Sequence, residues 1–280
     1  MIKKVIGILS IVALIITGIY TIRPSNSSLQ IFLGGQEYTL KYSLKGGYIE
    51  YDGDKHSLKS YKNNVIVDIA IGDIDSDGKD NILVLEGRKN SRFADRLIIY
   101  DVSTTSNKLH VSKRYENNMG AIRPWKIELC EIDADNNPEI FIIVNKTIQE
   151  SSELQNRPFF FNFKEDKLVK KWTGSKLRAP FSKASFGDLN GNGSDEFIVV
   201  EEIGTGEFII SAYYWFGFGF ILQGESHIYD RVDSISIEKS DGNVFIKARV
   251  KDRNMVKSVV LEPSSEKTEN DIYLLKERGN

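Results

Sequence analysis

The amino-acid sequence predicts an all-β fold. After Gln30, short runs with alternating or continuous β-type hydrophobicity dominate, and helical periodicity is weak. An acidic loop also returns three times and enters an apolar, β-branched run each time: "GDIDSDGKDNILVL" from Gly72, "CEIDADNNPEIFIIV" from Cys130 and "GDLNGNGSDEFIVV" from Gly187. A loop repeated before a strand indicates a fold built from copies of one strand unit.

The N-terminal segment predicts one hydrophobic helix over residues 1–22. Lys3 and Lys4 precede an uncharged apolar stretch from Val5 to Ile22, which is close to the minimum length for a membrane span. Lysines before the stretch favour a cytoplasmic N-terminus and export of the remainder. We therefore expect a single-pass anchor in the cell membrane, with a cleaved signal peptide and secretion as the alternative. Residues 23–30 are predicted to be a polar linker.

Composition excludes one class of partner and one kind of crosslink. Lys and Arg number 37 against 39 Asp and Glu, a formal net charge of −2, so no nucleic-acid surface is expected. Cys130 is the one cysteine in the chain, which rules out an intramolecular disulfide. Its place next to the second loop predicts a buried strand residue rather than a reactive thiol.

The three loops recur at an interval of about 58 residues, measured from Asp73 to Glu131 to Asp188. Each interval reads as four short strands; in the second these are "NILVLE", "RLIIYDV", "KLHVSKRY" and "WKIELCEI". Four antiparallel strands repeated in this way are typical of a β-propeller blade. Residues 31–280 are thus predicted to form a propeller of four to five four-stranded blades. A decayed copy at Val232–Val250 is included, and the last strands are expected to close the ring near its start.

The repeated loops carry oxygen-bearing side chains at fixed places, counted from the first acidic residue as position 1. Such residues occupy positions 1, 3, 5 and 9 in every copy. The candidate metal ligands are Asp73, Asp75, Asp77 and Asn81 in the first loop, Glu131, Asp133, Asp135 and Glu139 in the second, and Asp188, Asn190, Asn192 and Glu196 in the third.

This pattern predicts a hard cation. Oxygens at positions 1, 3 and 5 converge when a loop winds round an ion, and glycine at position 6 permits the positive φ that winding requires. Calcium fits best, since it accepts six to eight oxygens in flexible geometry, and two or three structural Ca²⁺ sites are expected. The alternative for each loop is an acidic turn without metal. An EF-hand is excluded because position 12 holds Val84, Ile142 or Val199 and strands follow the loops.

From about Val65 to Val200 the chain resembles the FG-GAP/VCBS-type repeats of calcium-bearing β-propellers, a class that includes the integrin α head. The resemblance implies structural calcium in loops between neighbouring strands of each blade. Three departures weaken it locally: Glu131 is longer than the usual Asp, Asn136 replaces the glycine at position 6, and Asn81 is neutral at position 9. The first and third loops are therefore expected to be better sites than the second.

Beyond the loops the sequence offers little chemistry. His56, His110 and His227 have no metal-ligand spacing, and no nucleophile–base pattern is evident, so no catalytic residues are predicted. The aromatic stretch "SAYYWFGFGF" from Ser211 predicts either packing between blades or an exposed platform for sugar rings or a partner protein.

Together these observations predict a membrane-anchored, extracytoplasmic, calcium-binding β-propeller in a bacterial envelope. Its expected role is a binding module for an unidentified protein or carbohydrate, not an enzyme. Two alternatives remain. One is a lyase or hydrolase acting on envelope polysaccharide, which would need a deep central pocket with converging charged groups. The other is a structural accessory subunit of an envelope complex, which would need a large apolar patch on one rim.

Overall fold

A computed structural model describes residues 20–22, 27–33, 35–43, 46–58, 61, 63–148, 151–174 and 177–279. The all-β prediction is confirmed: the described residues form strands β1 to β21, joined by turns and a 3₁₀ turn, η1 (Gly120–Ile122). Most of the strands form consecutive antiparallel meanders of four. Within the described residues, no helix has the length and hydrophobicity that crossing a membrane requires.

The first meander forms a sheet of its own in the order β2-β3-β4-β5. Its strands are β2 (Ser27–Leu33), β3 (Gln36–Ser43), β4 (Gly46–Tyr51) and β5 (Asp54–Ser57). The predicted linker of residues 23–30 is therefore wrong from Ser27 onward, while residues 23–26 lie outside the described part. Ile31 and Leu33 are buried in this strand. The strand begins at Ser27, in the polar part of the predicted linker.

The second meander surrounds the first acidic loop. Its strands are β6 (Asn64–Gly72), β7 (Asn81–Arg88), β8 (Arg96–Thr105) and β9 (Lys108–Asn118). A short strand, β1 (Tyr20–Ile22), pairs antiparallel with β6 at the edge of this sheet. The predicted N-terminal helix is therefore wrong for its last three residues. The rest of the predicted anchor, residues 1–19, lies outside the described residues.

The third meander contains the second acidic loop and the longest strand of the chain's described part. Its strands are β10 (Pro124–Cys130), β11 (Glu139–Ile148), β12 (Ser151–Lys164) and β13 (Lys167–Thr173). The segment "WKIELCEI", expected as the last strand of the preceding repeat, lies in β10 and begins this sheet instead. Each sheet thus starts one strand earlier than predicted, with the acidic loop inside it.

The last two meanders join into one eight-stranded sheet. Their strands are β14 (Phe181–Gly187), β15 (Glu196–Gly204), β16 (Glu207–Trp215), β17 (Phe220–Glu225), β18 (Arg231–Ser240), β19 (Asn243–Asp252), β20 (Met255–Lys267) and β21 (Tyr273–Glu277). The predicted decayed copy forms the β18–β19 hairpin.

The joint between these two meanders is a parallel pairing of β17 with β21, with Gly224 opposite Tyr273. The expectation that the last strands close a ring near its start is therefore wrong for β21. A side chain at Gly224 would approach Leu275 to 3.3 Å, so glycine leaves room for the two strands to meet. Since β18 also lies against β14, the eight-stranded sheet curls back on itself.

The five meanders pack face to face in chain order. Buried clusters lie between the first and second, the second and third, the third and fourth, and the fourth and fifth. In β7, Ile82 and Val84 face the first meander whereas Leu83 and Leu85 face the third. Both faces of the strand are thus buried, which explains why an apolar run follows each acidic loop without alternation.

Candidate metal centre

Each acidic loop connects the first and second strands of a meander. The first joins β6 to β7, the second joins β10 to β11, and the third joins β14 to β15. The strand predicted after every loop is confirmed. The loops therefore occupy equivalent places in three successive meanders.

The three loops share one backbone conformation, with positive φ at positions 4 and 6. At position 6 the residues are Gly78 (φ 81°), Asn136 (φ 61°) and Gly193 (φ 88°). At position 4 they are Ser76 (φ 58°), Ala134 (φ 56°) and Gly191 (φ 73°). The glycines of the first and third loops predict the positive φ at position 6, and Asn136 is among the residue types that tolerate this conformation. Position 4 was missed, because Ser and Ala give no sign of left-handed backbone.

Asp73 organises the first loop. Its Oδ1 accepts hydrogen bonds from the backbone N–H groups of Asp75 (3.3 Å) and Asp77 (3.2 Å), and its Oδ2 accepts from that of Gly78 (2.8 Å). One ligand oxygen each of Asp73, Asp75 and Asp77 lie within 4.8 Å of one another. The three carboxylates predicted at positions 1, 3 and 5 are thus brought together.

The third loop repeats this arrangement. Asp188 Oδ1 accepts from the N–H groups of Gly191 (2.7 Å) and Asn192 (3.0 Å), and its Oδ2 accepts from that of Gly193 (2.8 Å). Asn190 Oδ1 accepts from the N–H of Asn192 at 3.1 Å. Two loops separated by a whole meander therefore both wind round a position-1 aspartate, which accepts from positions 3, 5 and 6 in the first loop and from positions 4, 5 and 6 in the third.

The second loop is built more loosely around its position-1 residue. Glu131 Oε1 accepts one backbone hydrogen bond, from Asp135 at 3.2 Å. Ligand oxygens of Glu131, Asp133 and Glu139 nevertheless lie within 4.8 Å of one another. The longer side chain reaches the loop but accepts hydrogen bonds from fewer of its backbone N–H groups.

The acids at position 9 hold the loop from the following strand. Glu139 and Glu196 are buried, and each accepts a hydrogen bond from the N–H at position 2 of its own loop: Ile132 at 3.1 Å and Leu189 at 2.7 Å. Asn81 behaves differently, since its Nδ2 donates to Asp101 at 2.9 Å. The neutral residue at position 9 is therefore tied to a neighbouring strand through its amide nitrogen.

Several buried ligand oxygens lack a hydrogen-bond partner. Asp75 Oδ1, Asn81 Oδ1 and Asp133 Oδ1 are all in this state, and all three belong to predicted ligands. A buried carboxylate or amide oxygen without a partner is costly, and a cation is one way to satisfy it. The donor set of the first two loops thus fits a hard cation such as Ca²⁺.

Basic side chains from the fourth strands of the second and third meanders reach the position-3 aspartates of the first two loops. Arg114 in β9 donates through Nη2 to Asp75 Oδ2 at 2.6 Å. Lys171 in β13 donates to Asp133 Oδ2 at 2.5 Å and to Glu139 Oε1 at 2.6 Å. Arg114 and Lys171 occupy matching positions in their repeats, and each leaves the Oδ1 atom of its aspartate without a partner. Sequence reasoning missed them because they follow their loops by most of a meander.

The third loop has no such cation in the part of the chain described. A cavity of about 230 Å³ adjoins it instead, lined by Asn190, Glu196 and, from β17, the neutral Gln223. Asn190 Nδ2 donates to Glu196 Oε1. The third loop therefore satisfies its own position-3 residue, whereas the first two depend on a positive charge.

Burial makes ionisation of these clustered acids unfavourable. It raises the pKa of Glu196 to about 7, and it raises the pKa of Glu131 to about 6 with a further contribution from the charge of Glu139. The pKa of Asp195 is also raised by burial. A bound divalent cation would offset this cost by favouring the charged forms.

The three loops also touch one another. Ser76 Oγ donates to the carbonyl oxygen of Asn136 at 2.7 Å, which joins the first loop to the second. Asp195 N–H donates to the carbonyl oxygen of Glu131 at 2.5 Å, and Glu131 N–H donates to Asp195 Oδ2 at 3.0 Å. The loops thus form one continuous acidic surface at the same end of three neighbouring sheets.

A cleft of about 530 Å³ opens beside the second loop. Its lining includes Asp133, Lys171, Ser194, Trp215 and Phe218. The aromatic residues come from the tip of the β16–β17 hairpin, where Phe218 is 81% exposed. The aromatic stretch was recognised in the sequence, but its position next to the second loop depends on a contact between two meanders and could not be foreseen.

Cys130 and the charged residues Asp68, Lys126 and Glu128 lie in the protein interior. Cys130 is buried, its thiol donates to the carbonyl oxygen of Glu139, and burial raises its pKa, so the prediction of a buried strand cysteine is confirmed. Asp68 on β6 and the Lys126–Glu128 ion pair on β10 form a buried charged group between adjacent sheets. Asp68 Oδ2 accepts from the N–H of Ile127 at 2.9 Å.

Comparison with models of known protein families finds no match, and comparison with curated protein sequences finds none either.

Proposed function

We propose that this protein is a calcium-stabilised binding module whose five meanders are the blades of a β-propeller of the FG-GAP/VCBS type. The number of meanders agrees with the four to five blades expected from the repeat, and each acidic loop lies between neighbouring strands of one sheet. The hydrophobic segment of residues 1–22 would anchor the module to the cell membrane with its sheets outside the cytoplasm.

The calcium component rests on the unpartnered ligand oxygens. Asp75, Asn81 and Asp133 each bury one oxygen without a hydrogen bond, although the backbone around them is well satisfied. In a chain that can form no intramolecular disulfide, an ion that binds the folded state alone adds its binding free energy to stability. The first loop would hold its ion through Asp73, Asp75 and Asp77.

We assign a carbohydrate ligand to the cleft beside the second loop. Trp215 and Phe218 offer aromatic faces on which the C–H face of a sugar ring can stack, while Asp133, Lys171 and Ser194 offer hydrogen-bonding groups for hydroxyls. A volume of about 530 Å³ falls in the range of small-ligand sites. The single observation that carries this assignment is the exposed side chain of Phe218 in the lining of the cleft.

The binding role is preferred over the polysaccharide lyase or hydrolase alternative. That alternative needs a central pocket with converging charged groups, and one set of converging charged groups among the described residues is Asp68, Lys126 and Glu128. These three side chains are buried, and Lys126 and Glu128 are paired with each other. Groups closed off from solvent and engaged with one another cannot meet a polymer.

The carbohydrate proposal is tested with Phe218→Ala. The full chain, loaded with calcium, is applied to an array of purified neutral and acidic oligosaccharides, and affinity for any hit is measured by titration calorimetry. Loss of one stacking ring is expected to weaken binding by roughly tenfold, about 1.4 kcal/mol.

Met255→Ala serves as the control, because Met255 is an exposed apolar residue outside the cleft. Its affinity should equal that of the wild type. Equal affinity for the Phe218→Ala variant, or no binding to any oligosaccharide on the array, would contradict a carbohydrate site in this cleft.

A further inference from the structure

A second set of metal-type ligands lies in the fifth meander and in the segment that precedes it, away from the repeated loops in the sequence. His227 follows β17, Asp252 ends β19, and Glu277 ends β21. One ligand atom from each lies within 4.8 Å of the other two, and His227 Nε2 is 3.6 Å from Asp252 Oδ2. Three separate chain segments therefore bring an imidazole and two carboxylates to one point.

Tyr229 lies beside this cluster with a hydroxyl group that has no partner. The side chain is fully buried, and its Oη makes no hydrogen bond. Its ring packs on that of His227 with centroids 4.1 Å apart. A buried hydroxyl without a partner, next to this cluster of ligands, offers a hydrogen bond that a bound group would satisfy.

The positive charge beside the carboxylates of Asp252 and Glu277 comes from Lys257. Its Nζ is 2.8 Å and 3.1 Å from the two carboxylate oxygens of Glu277 and 3.5 Å from Asp252 Oδ2. The lysine is partly exposed on β20 and has a long flexible stem, so it can leave toward solvent. The carboxylates thus already favour a cation between them.

We propose that His227, Asp252 and Glu277 form a binding site for a divalent transition-metal ion of the zinc class. An imidazole nitrogen with two carboxylates is a ligand set that zinc accepts, and three protein ligands leave a fourth position for water. Tyr229 would hydrogen-bond that water or a ligand carboxylate. Calcium is disfavoured here because it prefers six to eight oxygen donors.

The site differs from the repeated loops in ligand type, so the two can be tested separately. Full-length protein is first saturated with Ca²⁺ and then titrated with ZnCl₂ by calorimetry. A parallel titration with Co²⁺ follows the visible absorption of tetrahedral cobalt. We expect one zinc equivalent to bind with calcium present, and the cobalt spectrum to show a nitrogen ligand.

Variants identify the ligands. His227→Ala should weaken zinc binding more than about tenfold and abolish the tetrahedral cobalt spectrum. Lys257→Met should bind zinc severalfold more tightly, since the competing charge is removed while the aliphatic stem is kept. His110→Ala removes an exposed histidine elsewhere and should leave binding unchanged. Thermal melts establish that each variant is folded.

The proposal is overturned if zinc fails to bind the calcium-loaded wild type, or if His227→Ala binds zinc and cobalt as the wild type does. It is also overturned if Lys257→Met, folded, binds zinc more weakly, because the lysine would then be part of the site rather than its competitor. None of these outcomes bears on calcium binding in the repeated loops.

Discussion

Single residues decide how each acidic loop is held. Asp73 and Asp188 each accept three backbone N–H groups, whereas Glu131 accepts one, so one extra methylene changes the organisation of the loop. The ligand positions could be predicted from the sequence because they lie close together along the chain. The basic partners Arg114 and Lys171 could not, since their approach depends on strands that pair only after folding.

Asp73→Asn should remove one calcium site. The substitution keeps the size of the side chain but eliminates the charge that an ion and the loop N–H groups share. We expect calorimetry to find one bound ion fewer than in the wild type, and the metal-free protein to lose about 1 to 2 kcal/mol of unfolding free energy. Asp241→Asn, in the exposed turn between β18 and β19, is the matched control and should change neither quantity. Unchanged stoichiometry in Asp73→Asn would show that the first loop binds no ion.

Asp68 predicts a pH dependence that is separate from the metal ligands. Burial raises its pKa to about 7, against the opposing charge of Lys126, and its Oδ1 has no partner. Because the folded state favours the protonated acid, its stabilising contribution is full below the unfolded pKa of about 4 and is lost as pH rises through about 7.

As the pH rises from about 4 to about 7, the wild type should therefore lose more unfolding free energy than Asp68→Asn, because this range lies between the unfolded and folded pKa values of Asp68. The comparison uses urea unfolding in the presence of a chelator, so that metal binding does not enter. Parallel decline of the two proteins over this interval would mean that Asp68 is ionised throughout.

At the scale of strands, the sequence predicted where β7, β11 and β15 lie but not where a sheet begins. The spacing of a repeat does not show which strand begins a sheet, because the same four strands can be grouped from any starting point. The strand pairing shows where the third sheet begins. Strand β10 is hydrogen-bonded to β11, whereas its contact with β6 is packing. The predicted helix failed at Tyr20–Ile22 for a related reason, because pairing with β6 overrides the local apolar pattern.

Gly174 lies close to Pro158, and a substitution at this glycine tests the packing of the third sheet. Its N–H donates to the carbonyl oxygen of Pro158 at 2.8 Å, and a Cβ at this position would lie 2.5 Å from the same oxygen. Gly174→Ala must move backbone, so we expect a loss of about 2 kcal/mol or more in urea unfolding. Gly219→Ala, where a Cβ meets nothing within 4 Å, should change stability by less than about 0.5 kcal/mol. Equal effects of the two substitutions would refute this tight contact.

At the scale of the whole molecule, five meanders follow one another in space as they do along the chain. That order could be predicted from the repeat, because each unit buries its faces against its neighbours. The pairing of β17 with β21 and the cleft beside the second loop could not, since both join residues from different meanders. Long-range pairing of this kind leaves no local pattern in a sequence.

Calcium is proposed to hold the repeated loops. A calcium titration of the full chain tests this, with ion stoichiometry from calorimetry and the melting temperature recorded with and without chelator. We expect two or three ions to bind, and the melting temperature to fall by about 5 °C or more when calcium is removed. Absence of binding, with the same melting temperature in both conditions, would contradict the claim and leave the loops as acidic turns.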